Sequence, residues 1–301
     1  MELVGDLHTV GKIAELWRYP VKSMRGERVE ASAIAEKGLV GDRAFALYDI
    51  ETGKIASAKS PRMWPNLLEF AASFVEPPTA EALLPPVRIE MPGGRVAHTD
   101  DPAVDEALSE ATGRAVRLVT SNPEGAVYEQ YVPSVDDADP EGSDFFREFP
   151  NDLFGTGSLH DASPIHLVTS ATLERLAELY PEGRFDVRRF RPNVLVQLDA
   201  REAGFVENGW LKSVVTLGTA RIRVTLPTLR CVMTTRPQGD LPHDLGILQT
   251  AAQHNRLEVL SLGRYPCVGV NALVVAPGTA CTDDPVHFVP AGDGGAATKG
   301  G

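Results

Sequence analysis

The pattern of apolar and polar positions predicts strands through most of the first 120 residues. Turn signals at Glu51-Thr52-Gly53 and Pro92-Gly93-Gly94 break this stretch, and the first of them predicts a hairpin. The runs between the turns are apolar-rich or alternate with the two-residue period of a half-buried strand. Such runs lie at residues 11–19, 28–34, 44–50, 54–58, 87–91 and 114–120.

One helix is well marked in this half. Asp101 is a good N-cap and Pro102 suits the first helical position. Val104, Leu108 and Ala111 follow at helical spacing. Gly113 then predicts the end of the helix, because glycine readily takes the left-handed conformation there.

The second half mixes strands with a few helices. Ser170 can cap a helix whose apolar positions are Leu173, Leu176, Ala177 and Tyr180, and a second helix is predicted in the later part of residues 240–255. Strands are predicted at residues 165–168, 193–198, 221–226 and 271–276. The chain has no GxGxxG or GxxxxGKS/T loop. These elements predict an α+β, β-rich fold with barrel-like or mixed sheets.

The length of 301 residues predicts two domains at roughly 150 residues each. Residues 126–152 are rich in aspartate and glutamate with interspersed proline and glycine, and we interpret them as an acidic connecting segment. This divides the chain into domains at 10–125 and 153–290. Residues 291–301, rich in glycine and alanine, are expected to form a disordered tail.

Charge and cysteine content narrow the possible classes of protein. A formal charge of −12 argues against a protein that coats nucleic acid or binds an anionic membrane surface. The N-terminus lacks an apolar signal core, so we expect a cytoplasmic protein without a membrane segment. The three cysteines form no CxxC pair, which disfavours a disulfide framework and a structural zinc site.

Three segments carry basic residues that could bind an anion. Lys22 follows the stiff Pro20, and Arg43 ends a loop that begins at Gly38. Two-residue alternation over 188–193 predicts that Arg189 and Arg191 share one face, where their guanidinium groups could hold phosphate or carboxylate. Taken alone, the Lys22 and Arg43 segments fit an ordinary solvated surface better than an anion site, whereas the arginine segment fits both equally well.

Two further patterns suggest chemistry. Thr169-Ser170 at a predicted helix N-terminus offers free N–H groups and hydroxyls to an anion, although plain capping explains them too. Cys231 stands beside Arg230, and a neighbouring cation favours the thiolate that binds metals or attacks electrophiles. Cys267 and Cys281 lack such neighbours, and His166 fits a buried core position.

Four of these motifs occur in the order seen in the MOSC family. The chain resembles members with the N-terminal MOSC β-barrel domain, such as the mitochondrial amidoxime-reducing component and its bacterial relatives. The resemblance implies a β-barrel-like N-terminal domain and a mixed β-barrel MOSC domain with a few helices. The motifs are Trp17-Arg18-Tyr19-Pro20-Val21-Lys22-Ser23, Gly41-Asp42-Arg43, Phe190-Arg191-Pro192-Asn193 and Arg230-Cys231-Val232-Met233-Thr234-Thr235.

The resemblance also implies a molybdenum cofactor held between the two domains. Cys231 corresponds to the family's molybdenum ligand, while Leu229 stands where the family often has a serine. Pyridoxal phosphate is implied only because MOSC domains are associated with it as a family. The cofactor-binding residues predicted from the motifs are Lys22, Ser23, Arg43, Thr169, Ser170, Arg189, Arg191, Asn193, Arg230 and Asn271.

The expected function is a molybdenum-containing oxidoreductase that reduces small N-hydroxylated or N-oxide substrates. Its electrons would come from an external flavoprotein, haem protein or iron–sulfur protein, because the chain holds no site for such a group. An alternative is a sulfur-transfer module in which Cys231 holds a persulfide delivered by a pyridoxal-phosphate desulfurase. A third is a cofactor carrier without turnover.

Overall fold

Strands carry most of the regular structure. The computed structural model describes residues 8–132, 145–151, 158–199, 204–260 and 263–290. The strands are β1 (His8–Arg18), β2 (Glu27–Val29), β3 (Ala31–Ala35), β4 (Gly38–Leu39), β5 (Ala46–Asp49), β6 (Ala71–Phe74), β7 (Val87–Glu90), β8 (Val96–His98), β9 (Val116–Val119), β10 (Val127–Val132), β11 (Phe145–Pro150), β12 (Ile165–Thr169), β13 (Val194–Leu198), β14 (Val214–Leu217), β15 (Ala220–Leu229), β16 (Arg256–Glu258), β17 (Arg264–Ala276), β18 (Gly278–Cys281) and β19 (Pro285–Val289).

The helices are short. They are α1 (Val104–Thr112), α2 (Ser170–Leu179), α3 (Val187–Phe190) and α4 (Gly246–His254), with single 3₁₀ turns at Leu67–Glu69, Val206–Trp210 and Val232–Thr235. Across the described ranges, no helix is both long and apolar enough to cross a membrane.

Seven strands of the described chain close into a barrel. Their order is β12-β13-β1-β19-β14-β15-β17, and β17 pairs back onto β12. β12 and β13 run parallel while the other neighbours are antiparallel, which confirms the predicted mixed sheet. Fully buried side chains fill the interior, among them Ile13, Leu16, Val196, Ile222 and Val224. On β15, Arg221 and Arg223 alternate with the buried Ile222 and Val224, as the two-residue period predicts.

A second core lies under smaller sheets in the first half. β5 pairs with β9, and β6, β7 and β8 form a three-stranded sheet. Phe70, Ile89, Leu108 and Val116 meet in this core, and Leu108 belongs to α1. The fold is therefore α+β and β-rich, with a barrel-like N-terminal part and a mixed barrel, as predicted.

The first strands belong to the large barrel rather than to the N-terminal core. β1 pairs with β13 and β19, and β3 pairs with β18. The division at residues 125 and 153 stays a prediction, but strand pairing ties residues 8–39 to the second half. Within the expected acidic connection, β10 and β11 pair as antiparallel strands. Residues 133–144 and the expected tail at 291–301 lie outside the described residues.

Several predicted boundaries differ from the structure. Helix α1 begins at Val104, later than the predicted start at Pro102, although Asp101 does accept the N–H of Ala103 at 2.8 Å. Gly113 ends this helix in the left-handed conformation, as predicted. The predicted strand at 54–58 is reduced to one bridge between Tyr48 and Ile55. The predicted strand at 28–34 divides between β2 and β3, which join different sheets.

Candidate functional site

The turn after β1 contains Lys22, and hydrogen bonds hold both its backbone and its side chain. The Lys22 N–H donates to the Phe45 carbonyl at 2.8 Å, and the Phe45 N–H donates to the Pro20 carbonyl at 3.0 Å. These bonds fix the turn in which Pro20 restricts the backbone. The buried Lys22 Nζ donates to the Leu159 carbonyl at 2.9 Å and to Asp161 Oδ1.

A second lysine meets the same carboxylate from another segment. Lys59 Nζ lies 2.7 Å from Asp161 Oδ2 and donates to the Tyr128 hydroxyl at 3.0 Å. Each oxygen of Asp161 therefore serves one ammonium group. The sequence analysis missed Lys59, Tyr128 and Asp161, because each occurs in a segment with no motif of its own.

Electrostatics in this cluster follow from burial and close charges. Burial lowers the pKa of Lys22 below its ordinary range, and Asp161 opposes this effect. Burial would also lower the pKa of Lys59, but the attraction of Asp161, Tyr128 and Cys231 raises it. Burial would raise the pKa of Asp161, yet the two lysines hold it far below its usual range. The carboxylate stays ionised because both cations lie against it.

Two predicted arginines converge on one aromatic ring. The guanidinium carbons of Arg43 and Arg191 lie 4.5 and 4.2 Å from the centre of the Tyr19 ring. Arg191 is buried and donates to the Met24 carbonyl at 2.6 Å. Burial, with repulsion from Arg43, lowers its pKa to about 10, so it stays charged at neutral pH. The structure thus brings Lys22, Arg43 and Arg191 into one cationic region.

The same region contains three residues with unusual backbone conformations. Ser23, Arg43 and Arg191 have φ of 65°, 47° and 54°, in the left-handed region that side chains other than glycine seldom adopt. Strain of this kind persists only where surrounding structure imposes it, and it clusters at functional sites. All three residues had been predicted at the site from their motifs.

Asp42 is a buried carboxylate that contacts three side chains of this region. Its carboxylate pairs with Arg43, accepts from Asn193 Nδ2 at 3.0 Å and lies 3.2 Å from His160 Nε2. Burial would raise the pKa of Asp42, but Arg43 and His160 hold it below its usual range. Asn193 also accepts the N–H of His166 at 3.1 Å, so it links the loop to strand β12. The Asp-Arg pair was visible in the sequence, whereas His160 had no signal there.

The predicted alternation of the arginine segment is wrong. Residues 187–190 form helix α3, and Arg191 ends it in a left-handed conformation. Arg189 is fully buried, and its three nitrogens donate to the carbonyls of Arg184, Thr234 and Pro242 at 2.8, 3.1 and 2.9 Å. Arg189 therefore braces the turn after Cys231 and does not share a face with Arg191.

The N-terminus of helix α2 is occupied by a carboxyl group of the same chain. Its N-cap is Thr169 rather than the predicted Ser170. The buried Glu207 carboxylate accepts the hydroxyls of Thr169 and Thr172 at 2.7 and 2.6 Å. Burial raises the pKa of Glu207 above its ordinary range. A cofactor that bound at Thr169 and Ser170, as predicted, would therefore have to compete with this carboxylate.

Cys231 lies directly before the turn Val232–Thr235 and is half-buried. It acts electrostatically on Lys59, Tyr128 and Arg230. Arg230 is held in turn by the carbonyls of Val268 and Phe190 at 2.9 and 3.0 Å. Two cationic residues, Lys59 and Arg230, therefore lie within electrostatic range of Cys231.

The other two thiols have different settings. Burial raises the pKa of Cys267 to about 11, and Cys281 is exposed. His166 is buried beside Arg230, and both burial and that guanidinium hold its pKa well below the ordinary value. It is thus a neutral core histidine, consistent with its apolar strand. In the described part of the chain, no group of three or more His, Cys, Asp or Glu could hold a metal ion.

Asn271 lies on β17, paired in register with His166 of β12. It is buried, and its Nδ2 atom has no hydrogen-bond partner within the described residues. A buried amide donor without a partner is costly, so this donor is available to a molecule that binds there.

The fold and site define a two-part β-barrel protein with one thiol among buried cations. Comparison with family profiles agrees: the MOSC domain matches residues 155–287, and the MOSC N-terminal beta barrel domain matches residues 10–94. The chain belongs to the MOSC family. The resemblance found in the motifs is thereby confirmed.

Curated relatives are distant but cover most of the chain. The chain is 25% identical over 303 residues to mitochondrial amidoxime-reducing component 1 of Homo sapiens, covering 94% of this chain and 84% of that protein. It is 24% identical over 307 residues to the Mus musculus protein of the same name, with the same coverage. The solved YUAD protein from Bacillus subtilis aligns with a TM-score of 0.44 at 10% identity, covering 95% of this chain and 98% of that one.

Proposed function

We propose that this protein is a molybdenum-cofactor-dependent oxidoreductase that reduces N-hydroxylated or N-oxide substrates with electrons from an external redox protein. The observation that carries the proposal is that the half-buried Cys231 lies close enough to Lys59, Tyr128 and Arg230 to act on them electrostatically. The names of the similar mitochondrial proteins support the reaction type.

The residues present fit such a cofactor. A thiolate is a soft ligand suited to a thiophilic metal, and Cys231 would supply it. Lys22, Arg43 and Arg191 provide fixed cations for a phosphorylated pterin. The unpartnered Nδ2 of Asn271 offers a further donor. When bound, the molybdenum cofactor supplies the oxygen-atom and electron chemistry, which no side chain can supply.

The chain's own residues would handle charge and protons. Reduction of an N–OH group consumes two electrons and two protons and releases water. Burial and the charges around it raise the pKa of Tyr128 to about 12, so the Tyr128 hydroxyl stays protonated at neutral pH. Lys59 Nζ donates to this hydroxyl at 3.0 Å. Together they would hold protons near Cys231 that could be donated to the oxygen that leaves as water.

Electrons have to come from outside the chain under this proposal. The sequence has no nucleotide-binding loop, and its three cysteines are too few for an iron–sulfur cluster in addition to a metal ligand. Purified protein should therefore reduce an N-hydroxylated amidine with an artificial reductant or added redox proteins. Turnover with nicotinamide nucleotide alone would contradict the proposal. The cytoplasmic location expected from the sequence stays a prediction.

The deciding experiment is the variant Cys231→Ala, expressed in a molybdenum-replete host. It should fold, as judged by circular dichroism, but lose molybdenum and activity. The controls are Cys267→Ala and Cys281→Ala, which should keep about one molybdenum per chain if the thiol of Cys231 alone binds the metal. Normal molybdenum content in the Cys231 variant would refute the assignment.

The sulfur-transfer function remains the second candidate, because a half-buried thiol next to Arg230 also suits a persulfide. Cyanide-releasable sulfur on Cys231 in protein free of molybdenum would favour it. Bound molybdenum without reductase activity toward any N-oxygenated substrate would instead favour a cofactor carrier.

A further inference from the structure

We propose that Lys22 and Lys59 form a binding site for a phosphate-type oxyanion, and that Asp161 is a built-in competitor that occupies this site until the anion arrives. The proposal deepens the proposed function and rests on it only in naming the cofactor's phosphate as one source of the anion. A free phosphate or phosphorylated substrate is the other source.

The first observation is how the two lysines meet. They come from segments 37 positions apart in the sequence, yet their ammonium groups bind the two oxygens of one carboxylate. Both lysine side chains are nearly buried, at 6% and 11% exposure. Two like charges are buried together only if an anion lies between them, since burial of an uncompensated charge is very unfavourable. Asp161 meets this need in the structure.

The second observation is the balance of charge. One carboxylate neutralises only one of the two ammonium groups, and the charge of Arg43 also acts on Lys22. Arg43 has its own partner in Asp42, so Asp161 is left with both lysines. The Lys22–Asp161–Lys59 cluster therefore keeps a net positive charge. A phosphate dianion would neutralise it more completely than a single carboxylate does.

The third observation is that Asp161 lies on the open side of the cluster. Its side chain is 38% exposed, several times more than either lysine side chain. An anion arriving from solvent would meet the carboxylate first, and Asp161 can turn outward without being buried elsewhere. Lys22 and Lys59 cannot, because Leu159 and Tyr128 hold their Nζ atoms from the protein side.

The fourth observation concerns hydrogen-bond capacity. Each ammonium group has three N–H donors. In the described ranges, Lys22 Nζ uses two of them on Leu159 and Asp161, and Lys59 Nζ uses two on Tyr128 and Asp161. Displacement of Asp161 would leave two donors on each lysine for the oxygens of a tetrahedral anion. No covalent step is involved, because one anion exchanges for another.

The test is calorimetric titration of cofactor-free protein with inorganic phosphate at pH 7 and low salt. Asp161→Asn should bind phosphate about tenfold more tightly than the unaltered protein, because the competing charge is removed. Lys59→Met should bind it about tenfold more weakly, because one charge-assisted hydrogen bond is lost. Lys54→Met is the matched control, since Lys54 pairs with Glu148 at 2.7 Å outside this cluster.

Unchanged or weaker binding by Asp161→Asn would overturn the competitor role. Absence of phosphate binding in every variant would overturn the site itself. If Lys59→Met fails to fold, Lys59→Arg replaces it and should retain binding, because it keeps the charge. Loss of phosphate binding by Lys59→Arg in folded protein would also count against the site.

A second titration separates the two sources of the anion. If the cofactor's phosphate fills the site, cofactor-loaded protein should no longer bind inorganic phosphate. If loaded protein still binds phosphate at the lysine pair, the site serves a free oxyanion instead. Protein that never acquires molybdenum would refute the proposed function while leaving the phosphate result intact, so the two failures can be told apart.

Discussion

Arg43 and Arg191 are 148 positions apart in the sequence, yet Arg43 Nη2 lies 3.5 Å from the Arg191 carbonyl oxygen. Both residues hold left-handed backbone conformations. The loop that begins at Gly38 and the end of helix α3 therefore meet at two residues with left-handed backbone, each of which contributes a charged side chain. Strained backbone clusters at functional sites, so the strain at both points agrees with the prediction that both arginines belong to the site.

Substitution of Arg191 tests whether this meeting point anchors the cofactor. Arg191→Ala should weaken cofactor affinity by roughly 10- to 100-fold, because a charge-assisted hydrogen bond contributes about 1.5–3 kcal/mol. Arg191 is also buried and donates to the Met24 carbonyl. A loss of about 1–3 kcal/mol in the free energy of unfolding is therefore expected as well.

The measurements are pterin content by oxidative fluorescence and urea unfolding followed by circular dichroism. Arg88→Ala is the control, because the half-buried Arg88 pairs with Glu90 on the same strand, outside the site. It should change neither quantity. Full pterin content in Arg191→Ala would show that this arginine is only structural.

Glu207 should make stability fall as the pH rises. Burial raises its pKa in the folded state, so folding favours the protonated carboxyl. Below the unfolded pKa of about 4.5 the group is protonated in both states and no penalty arises. The penalty grows as the pH rises through the folded pKa. Glu207→Gln, which cannot ionise, should lack this loss, so its stability relative to the unaltered protein should improve from pH 4 to pH 8.

Urea unfolding at pH 4, 6 and 8 measures this difference. Glu178→Gln is a suitable control, because Glu178 is exposed and pairs only with Arg175 on the same helix. A stability difference for Glu207→Gln that does not change with pH would contradict the argument.

His166 should act in the opposite pH direction. Burial and Arg230 hold its pKa well below the ordinary value of 6.5, so the unfolded chain binds a proton that the folded chain rejects. Stability should therefore fall as the pH decreases below about 6.5, by at most about 1.4 kcal/mol per pH unit. His166→Gln should remove this contribution. The check is the slope of unfolding free energy between pH 7.5 and 5, with His98→Gln, at an exposed strand position, as a comparison. Equal slopes in the unaltered protein and His166→Gln would refute it.

Gly269 lies against His166, and its replacement should be costly. Its φ is 80°, and an added Cβ would lie 2.6 Å from His166 Nε2 and 2.5 Å from the Leu167 carbonyl oxygen. Gly269→Ala should therefore destabilise the fold by more than about 3 kcal/mol, because both strain and a clash arise. Gly93→Ala is a matched control, since Gly93 has φ of 83° but nothing within 4 Å of the added atom.

The control should lose only the conformational part, about 1–2 kcal/mol. Thermal or urea unfolding of both variants measures the difference. Equal losses would mean that β17 can move away from β12 at this point, and that the close packing around His166 is not rigid.

Local patterns in the sequence were enough to predict much of the framework. The alternation of residues 221–226 predicted strand β15 because buried and exposed positions change at every residue. Gly113 predicted a helix end for a local conformational reason. The motifs around Lys22, Arg43, Arg191 and Cys231 identified the family, and the charge of Arg230 singled out Cys231 from the other thiols.

Only the tertiary structure decided which charges meet. Asp161 pairs with Lys22, which is 139 positions away in the sequence. Glu207 binds Thr169 at the start of helix α2, although Thr169 lies 38 positions earlier in the sequence. The alternation around Arg189 was misleading because a helix begins at Val187, where Asp186 caps it. Periodicity reports the burial of near neighbours, whereas an ion pair depends on how distant strands close into a barrel. The sequence therefore determined the elements and the chemistry available, and barrel closure determined which buried charges neutralise one another.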